Sequence, residues 1–346
     1  RQVFAMTDAL LPAVLVFALA AMFIAVFGVR MTHVAGELAQ RTGMGEAIMG
    51  ALFIGAATSL SGITASVTAA WSGHASLAVS NSLGGIAAQT AFLAIADFFY
   101  RRANLEHAAA SVENLMMTAF LIILLSIHLV ALSVPQLSVL GVHPATPVLV
   151  ITYVFGMWLL SRAHEMPMWY PKRTSDTRRE KTHTRRTRRV TLYGLWLRFL
   201  ALAALVATAG WFLTYAAVTI TRETGLSEGV VGGIFIAVTT SLPELVIAIT
   251  AVRMRALTLA VGDIIGGNAF DTLFIALSDI VYRPGSIYAA LTRYEPFWLA
   301  LTLLMSAVLM MGLIQRERHG IGNIGLESAL LIVLYLGGVG LITLVL

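Results

Sequence analysis

Residues 56–65 read AATSLSGITA and residues 238–247 read VTTSLPELVI. Both stretches carry Thr-Ser-Leu, at Thr58-Ser59-Leu60 and again at Thr240-Ser241-Leu242, a separation of 182 positions. Applied to the chain, that shift aligns residues 42–101 with 224–283 without a gap and gives 23 identities in 60 pairs. Apolar identities are common in any hydrophobic sequence. Polar and glycine identities in fixed register are not, and Glu46/Glu228, Thr58/Thr240, Ser59/Ser241, Gly84/Gly266 and Asp97/Asp279 are among them. The chain contains an internal repeat.

Composition sets the environment of that repeat. Of 346 residues, 58% are hydrophobic and 12% charged, whereas a soluble domain carries about 25% charged residues. Several apolar runs reach the roughly 20 residues that cross a bilayer core. The expected class is an all-α polytopic membrane protein. Ten spans are predicted, near residues 9–29, 44–71, 77–100, 111–131, 144–163, 192–217, 229–252, 256–280, 296–314 and 324–346. Arg30 follows the first apolar run instead of preceding it, so that run reads as a span and not as a cleaved signal.

With the N-terminus outside, the inner loops hold 19 of the 23 Lys and Arg, and 8 against 4 once the long central loop is set aside. The positive-inside rule therefore places both termini outside and the central loop in the cytoplasm. Each half has five spans, an odd number, so the second copy enters the membrane from the opposite face. The domains expected are residues 1–163 and 191–346, two inverted five-helix repeats, joined by a basic linker at 164–190. That linker, with YPKRTSDTRREKTHTRRTRRV at its centre, is too polar to bury a core. Its arginines suit anionic lipid headgroups better than nucleic acid.

The repeats differ in charge. Gly62 stands where the second copy has Glu244, Asn81 where it has Asp263, and Gln89 where it has Asp271. Pro243 has no amide hydrogen and frees carbonyls just before it, which at membrane depth is tolerable where the backbone lines a cavity. Glu244 follows at once, and an ionisable residue inside a span points to function. In GDIIGGNAFDTL, Asp263, Asn268 and Asp271 lie on the next span, the two acids about 80° apart around the helix. Oxygen donors of this kind favour hard cations such as Na⁺, Ca²⁺ or Mg²⁺. The chain has no cysteine, which excludes disulfides and thiolate metal sites, and its eight histidines show no ligand spacing. No phosphate-binding loop is present, and Ser59 and Ser241 have no His or Lys partner in their motifs, so neither ATP-driven pumping nor an intramembrane enzyme is expected.

GLSEGVVGGIFIAVTTSLPELVIAITAV with LAVGDIIGGNAFDTLF resembles the second alpha-repeat of the calcium/cation antiporter superfamily, which includes the sodium/calcium exchangers. GMGEAIMGALFIGAATSLSGITASVTAA with LAVSNSLGGIAAQTAF resembles a degraded first alpha-repeat. The resemblance implies ten helices, alternating access and a ligand set of Glu244, Thr240, Ser241 and Asp271 with Thr58, Ser59 and Gln89. It departs from the family pattern at Gly62 and Ser61, where Glu and Pro are expected, and at Asp263, where Asn is usual. Loss of the Glu removes a formal charge and predicts room for water or a partly hydrated ion beside Glu244. The function expected is a secondary antiporter exchanging Na⁺ or H⁺ for a cation, with Ca²⁺ as one candidate. The alternative is a cation-selective channel or a non-exchanging sensor on the same fold. The transported cations are substrates and no cofactor is implied. The partners are inorganic cations and the lipid bilayer, in a prokaryotic plasma (inner) membrane, and the sequence specifies no oligomeric state.

Overall fold

The computed structural model describes residues 2–42, 55–100, 104–165, 191–317 and 325–345. The predicted linker falls almost wholly outside them, as does the start of the second predicted span. Within them α1 (Gln2–Thr42), α2 (Leu60–Trp71), α3 (Ala75–Asp97), the short α4 (Leu105–Ala109), α5 (Val112–Ser133) and α6 (Ala145–Glu165) form the first half. The second half runs α7 (Leu192–Thr224), α8 (Glu228–Thr240), α9 (Leu242–Arg253), α10 (Leu257–Val281), α11 (Tyr294–Gln315) and α12 (Leu326–Leu344). Eight of these helices are long and apolar enough to cross a membrane; α8 and α9 meet that test only as a pair, bent by 43° at the break between them, as a broken span or a re-entrant loop is.

Several helices outrun the predicted spans. α1 reaches Thr42 instead of ending near residue 29, because its last turns are amphipathic: Met31, Ala35, Leu38 and Ala39 are buried, while Arg41 and Glu37 form an i,i+4 ion pair at 2.8 Å. Hydropathy detects only the apolar part of such a helix.

Burial separates the helices into two classes. The apolar stretch of α3 is 94% buried and that of α10 72%, whereas that of α1 is 17% and that of α12 22%. A helix in contact with lipid must be apolar, while one shielded by protein can carry polar groups. The polar residues of both repeat motifs accordingly lie on or beside α3 and α10, which pack against each other. Small residues also let α3 cross α8 closely. A Cβ on Gly84 of α3 would fall 2.1 Å from the Gly233 carbonyl oxygen, so only glycine fits this crossing. Gly233 sits in a π-helical turn, Val231–Ile236, within α8; such turns occur often at functional sites.

The breaks in the two motif helices match. Residues 55–58 are helical and stop at Ser59 (φ −88°, ψ 7°); α8 stops at Ser241 (φ −94°, ψ 3°). On either side the backbone bonds correspond residue for residue, Ser59 N–H to Gly55 O and Ile63 N–H to Ser59 O against Ser241 N–H to Ala237 O and Leu245 N–H to Ser241 O. The first break forms without the proline that marks the second.

A second correspondence ties the helix ends. Asp97 accepts from the Leu105 N–H (2.7 Å) and the Gly325 N–H (3.1 Å). Asp279 accepts from the Ile287 N–H (2.9 Å) and the His143 N–H (2.7 Å). Donors and acceptors are each displaced by the same 182 positions. In both, one bond is local and the other reaches into the opposite half of the chain.

Candidate functional site

Where α3 and α10 pass the two breaks, a buried polar cluster forms. Asp271 is its hub. The Ser59 hydroxyl donates to its Oδ1 at 2.7 Å, the Gln89 amide donates to its Oδ2 at 2.7 Å, and the Ser82 hydroxyl donates to its backbone oxygen at 2.6 Å. The same Gln89 nitrogen lies 3.1 Å from Ser241 Oγ. Ser59–Asp271 and Ser241–Gln89 are thus equivalent cross-links, each joining the serine of one copy to the α3 or α10 side chain of the other. All four residues are buried.

Thr240 joins the cluster through Asn81, its hydroxyl 3.4 Å from Asn81 Oδ1 and 3.0 Å from the Ile236 carbonyl. The carbonyl that Pro243 was expected to free at residue 240 accepts from Ser61 Oγ at 3.2 Å. Thr58 is buried, with its hydroxyl turned back to the Gly55 carbonyl at 2.9 Å. Asn268 donates to Thr90 Oγ1 at 3.0 Å. Glu244 occupies the first turn of α9 and is 4% exposed. Asp263 is only half-buried and, among the described residues, forms no hydrogen bond with the other candidates.

Three of the candidate residues have a buried oxygen with no hydrogen-bond partner: Glu244 Oε2, Gln89 Oε1 and Asn268 Oδ1. A buried acceptor without a donor costs roughly 1–3 kcal/mol unless something else satisfies it. Neither Arg41–Glu37 nor His74–Glu228, ion pairs formed among the described residues, brings a base to the Glu244 or Asp271 carboxyl. Acceptors in excess of donors, with no neutralising base, suit a cation or a proton. Carboxylates are few: no group of three His, Asp or Glu side chains gathers at one point among the described residues. A cation held here depends on hydroxyl, amide and carbonyl oxygens as well.

The place beside Gly62 is not open. A Cβ there would lie 2.6 Å from Cε2 of Phe274 and 3.2 Å from its Cζ. The room expected where the second repeat carries Glu244 is taken by this ring, because Phe274 lies one turn beyond Asp271 on α10 and points the same way. Sequence reasoning also passed over Ser61 and Ser82 as site residues. Ser82 has isoleucine at its repeat position, so the register carried no signal for it.

The profile of the sodium/calcium exchanger protein family matches residues 12–162 and 193–344. This chain belongs to that family. Its family membership makes it a member of a group of transporters, and the two matched segments leave out the same central stretch that composition set apart. The CaxA protein of Alkalimonas amylolytica is 33% identical over 144 residues, 41% of this chain and 43% of that protein. The sodium/calcium exchanger MaX1 of Methanosarcina acetivorans is 28% identical over 137 residues, 39% of each. The matched stretches thus span less than half the length of these relatives. Among solved structures, the H⁺/Ca²⁺ exchanger CAX has a TM-score of 0.67 at 16% identity, over 99% of this chain and 90% of that one. The sodium-calcium exchanger NCX_Mj has a TM-score of 0.58 at 15% identity, over 96% and 99%. At such identities the likeness establishes a shared fold.

Proposed function

We propose that this exchanger-family protein is a secondary cation antiporter, built as two inverted five-helix repeats, that trades Na⁺ or H⁺ for a cation by alternating access, with Ca²⁺ the first substrate to test. The observation that carries this reading is the paired cross-link at the helix breaks: Ser59 to Asp271 and Gln89 to Ser241, beside unpartnered oxygens of Glu244, Gln89 and Asn268. A site built from side chains of two oppositely oriented repeats can be opened to either side by the same movement of one repeat on the other. Relatives bearing the names sodium/calcium and H⁺/Ca²⁺ exchanger support the choice of ions.

Residues 1–163 and 191–346 are the two halves, with 164–190 the cytoplasmic linker and both termini outside. Glu244 and Asp271 are the principal ion carboxyls. Ser59, Ser241, Thr58, Thr240, Gln89 and Asn268 complete the oxygen set, and Asp263 lies at its approach. Coupling follows from competition: an oxygen that holds a proton or Na⁺ cannot also hold Ca²⁺, so one ion must leave before the other loads.

The test is uptake of labelled Ca²⁺ into proteoliposomes against an imposed Na⁺ or H⁺ gradient. Uptake that depends on the gradient and reverses with its sign is expected. Current without counter-ion movement would identify a channel, and binding without flux a sensor. Trypsin should cut within 172–189 only in inside-out vesicles.

A further inference from the structure

In the repeat register Glu244 corresponds to Gly62, and the side-chain position at Gly62 is filled from the opposite half by Phe274. We propose that Phe274 is a specificity-determining residue: its ring takes the volume that a carboxylate at position 62 would need, and so limits the site to the acids of one repeat. The inference rests on the antiporter reading for the site's role, but its central claim concerns cation binding alone.

The ring is firmly placed. Phe274 is 3% exposed and belongs to an aromatic and aliphatic wall with Phe270, Phe120, Tyr153 and Leu149, contributed by α5, α6 and α10. Phe270 and Phe274 meet edge to face at 6.4 Å, and Tyr153 and Phe270 at 6.1 Å. Swinging Phe274 away would disturb that whole wall. Interiors of this density do not yield to an added side chain without strain. Cβ atoms essentially never come as near another heavy atom as the 2.6 Å that one on Gly62 would have. Even alanine at 62 requires the ring to shift.

The chemical consequence is a limit on charge. Glu244 and Asp271 supply at most two negative charges at the cluster, with the remaining donors neutral. A carboxylate at 62 would add a third, and affinity for calcium rises with the charge count of its oxygen ligands. Phe274 and Gly62 thus act as one unit, and neither substitution alone should convert the site. Gly62→Glu meets the ring. Phe274→Ala opens a cavity but brings no charge.

Calcium affinity should be measured by calorimetry on purified, detergent-solubilised protein, with melting temperature as the check on folding. Gly62→Glu/Phe274→Ala should bind Ca²⁺ about tenfold more tightly than the unaltered protein. Gly62→Gln/Phe274→Ala, matched in size but uncharged, should show no gain, and neither should Phe274→Ala alone. Gly62→Glu alone should melt at a lower temperature without a gain in affinity. If the Glu double variant does not fold, Gly62→Asp/Phe274→Ala, which is smaller, takes its place with Gly62→Asn/Phe274→Ala as control. The proposal is overturned if Gly62→Glu alone gains as much as the double variant. It is also overturned if a folded acidic double variant binds no better than its amide control, or if neither acidic double variant folds while Gly62→Glu does. Gradient-driven exchange by the unaltered protein, assayed in parallel, reports separately on the antiporter reading.

Discussion

The two copies of the Thr-Ser-Leu motif share their backbone and differ in their charge. Ser59 and Ser241 have nearly the same dihedral angles, the same pattern of backbone bonds around them, and equivalent partners across the repeat. Yet the second copy holds Glu244 and Asp271, and the first holds Gly62 and Gln89. A helix break is fixed by local backbone demands and by the neighbouring helix, so both copies retain it. Charge is a property of single side chains and can be lost on one side if something else fills the space. At Gly62 a phenyl ring fills it; at Gln89 an amide donates to the remaining acid.

The largest test of this contrast is Glu244→Gln. The amide preserves volume and deletes the charge, so gradient-driven exchange should fall at least a hundredfold while the melting temperature changes little. Normal transport by a folded variant would sink the assignment and leave Asp271 as the sole carboxyl of importance.

The next test asks whether the halves are equally strong where they look alike. Asp97→Ala and Asp279→Ala each orphan two backbone donors and should each cost on the order of 3–5 kcal/mol of stability. Asp279 also accepts from Thr146 Oγ1 at 2.6 Å, so its loss should exceed that of Asp97 by no more than about 1 kcal/mol in a denaturation series. A large disagreement would mean that the matched bonds have unmatched weight.

A smaller difference is expected where the register pairs unlike residues. Glu106 corresponds to Tyr288. Tyr288 hydrogen-bonds His128 Nδ1 at 2.7 Å, whereas Glu106 accepts from Ser328 at 2.5 Å through one oxygen and leaves the other buried and unpartnered. Burial, and then the Asp97 carboxyl and Glu327 nearby, push Glu106 up from 4.5 to about 7. The folded protein therefore holds a proton between those values that the unfolded chain releases. Stability must fall as pH rises from about 4.5 to about 7 and level off above. Relative to Glu106→Gln, which does not titrate, the unaltered protein should lose up to about 3 kcal/mol across that window. Parallel pH–stability curves for the two would refute this origin.

The smallest effect separates the serines. Ser59→Ala leaves Asp271 Oδ1 without its donor, while after Ser241→Ala the Gln89 amide still reaches Asp271. The first should cost about 1–2 kcal/mol and the second about 0.5–1 kcal/mol. A reversed order in thermal melts would show that Ser241, not Ser59, anchors the cluster.

Much of this was legible in one dimension. Low charge and long apolar runs dictate a helical membrane protein, because unpaired backbone is not tolerated in lipid. The repeat register shows in Thr58/Thr240 and Ser59/Ser241, and Pro243 announces its break through a missing amide hydrogen. The candidate acids stand out because an ionisable group within an apolar run has few reasons to be there. Tertiary structure alone decided which of them meet. Ser59 and Asp271 are 212 residues apart, and Gln89 and Asp271 are 182. Whether such side chains touch depends on how two helices are rotated and how closely their glycines allow them to approach, which no local pattern encodes. The same rotation left Asp263 half-buried, without a hydrogen bond to the other candidates, and turned Phe274 into the place of the missing carboxylate. Local chemistry sets what each residue can do; the packing of α3 against α10 sets which residues do it together.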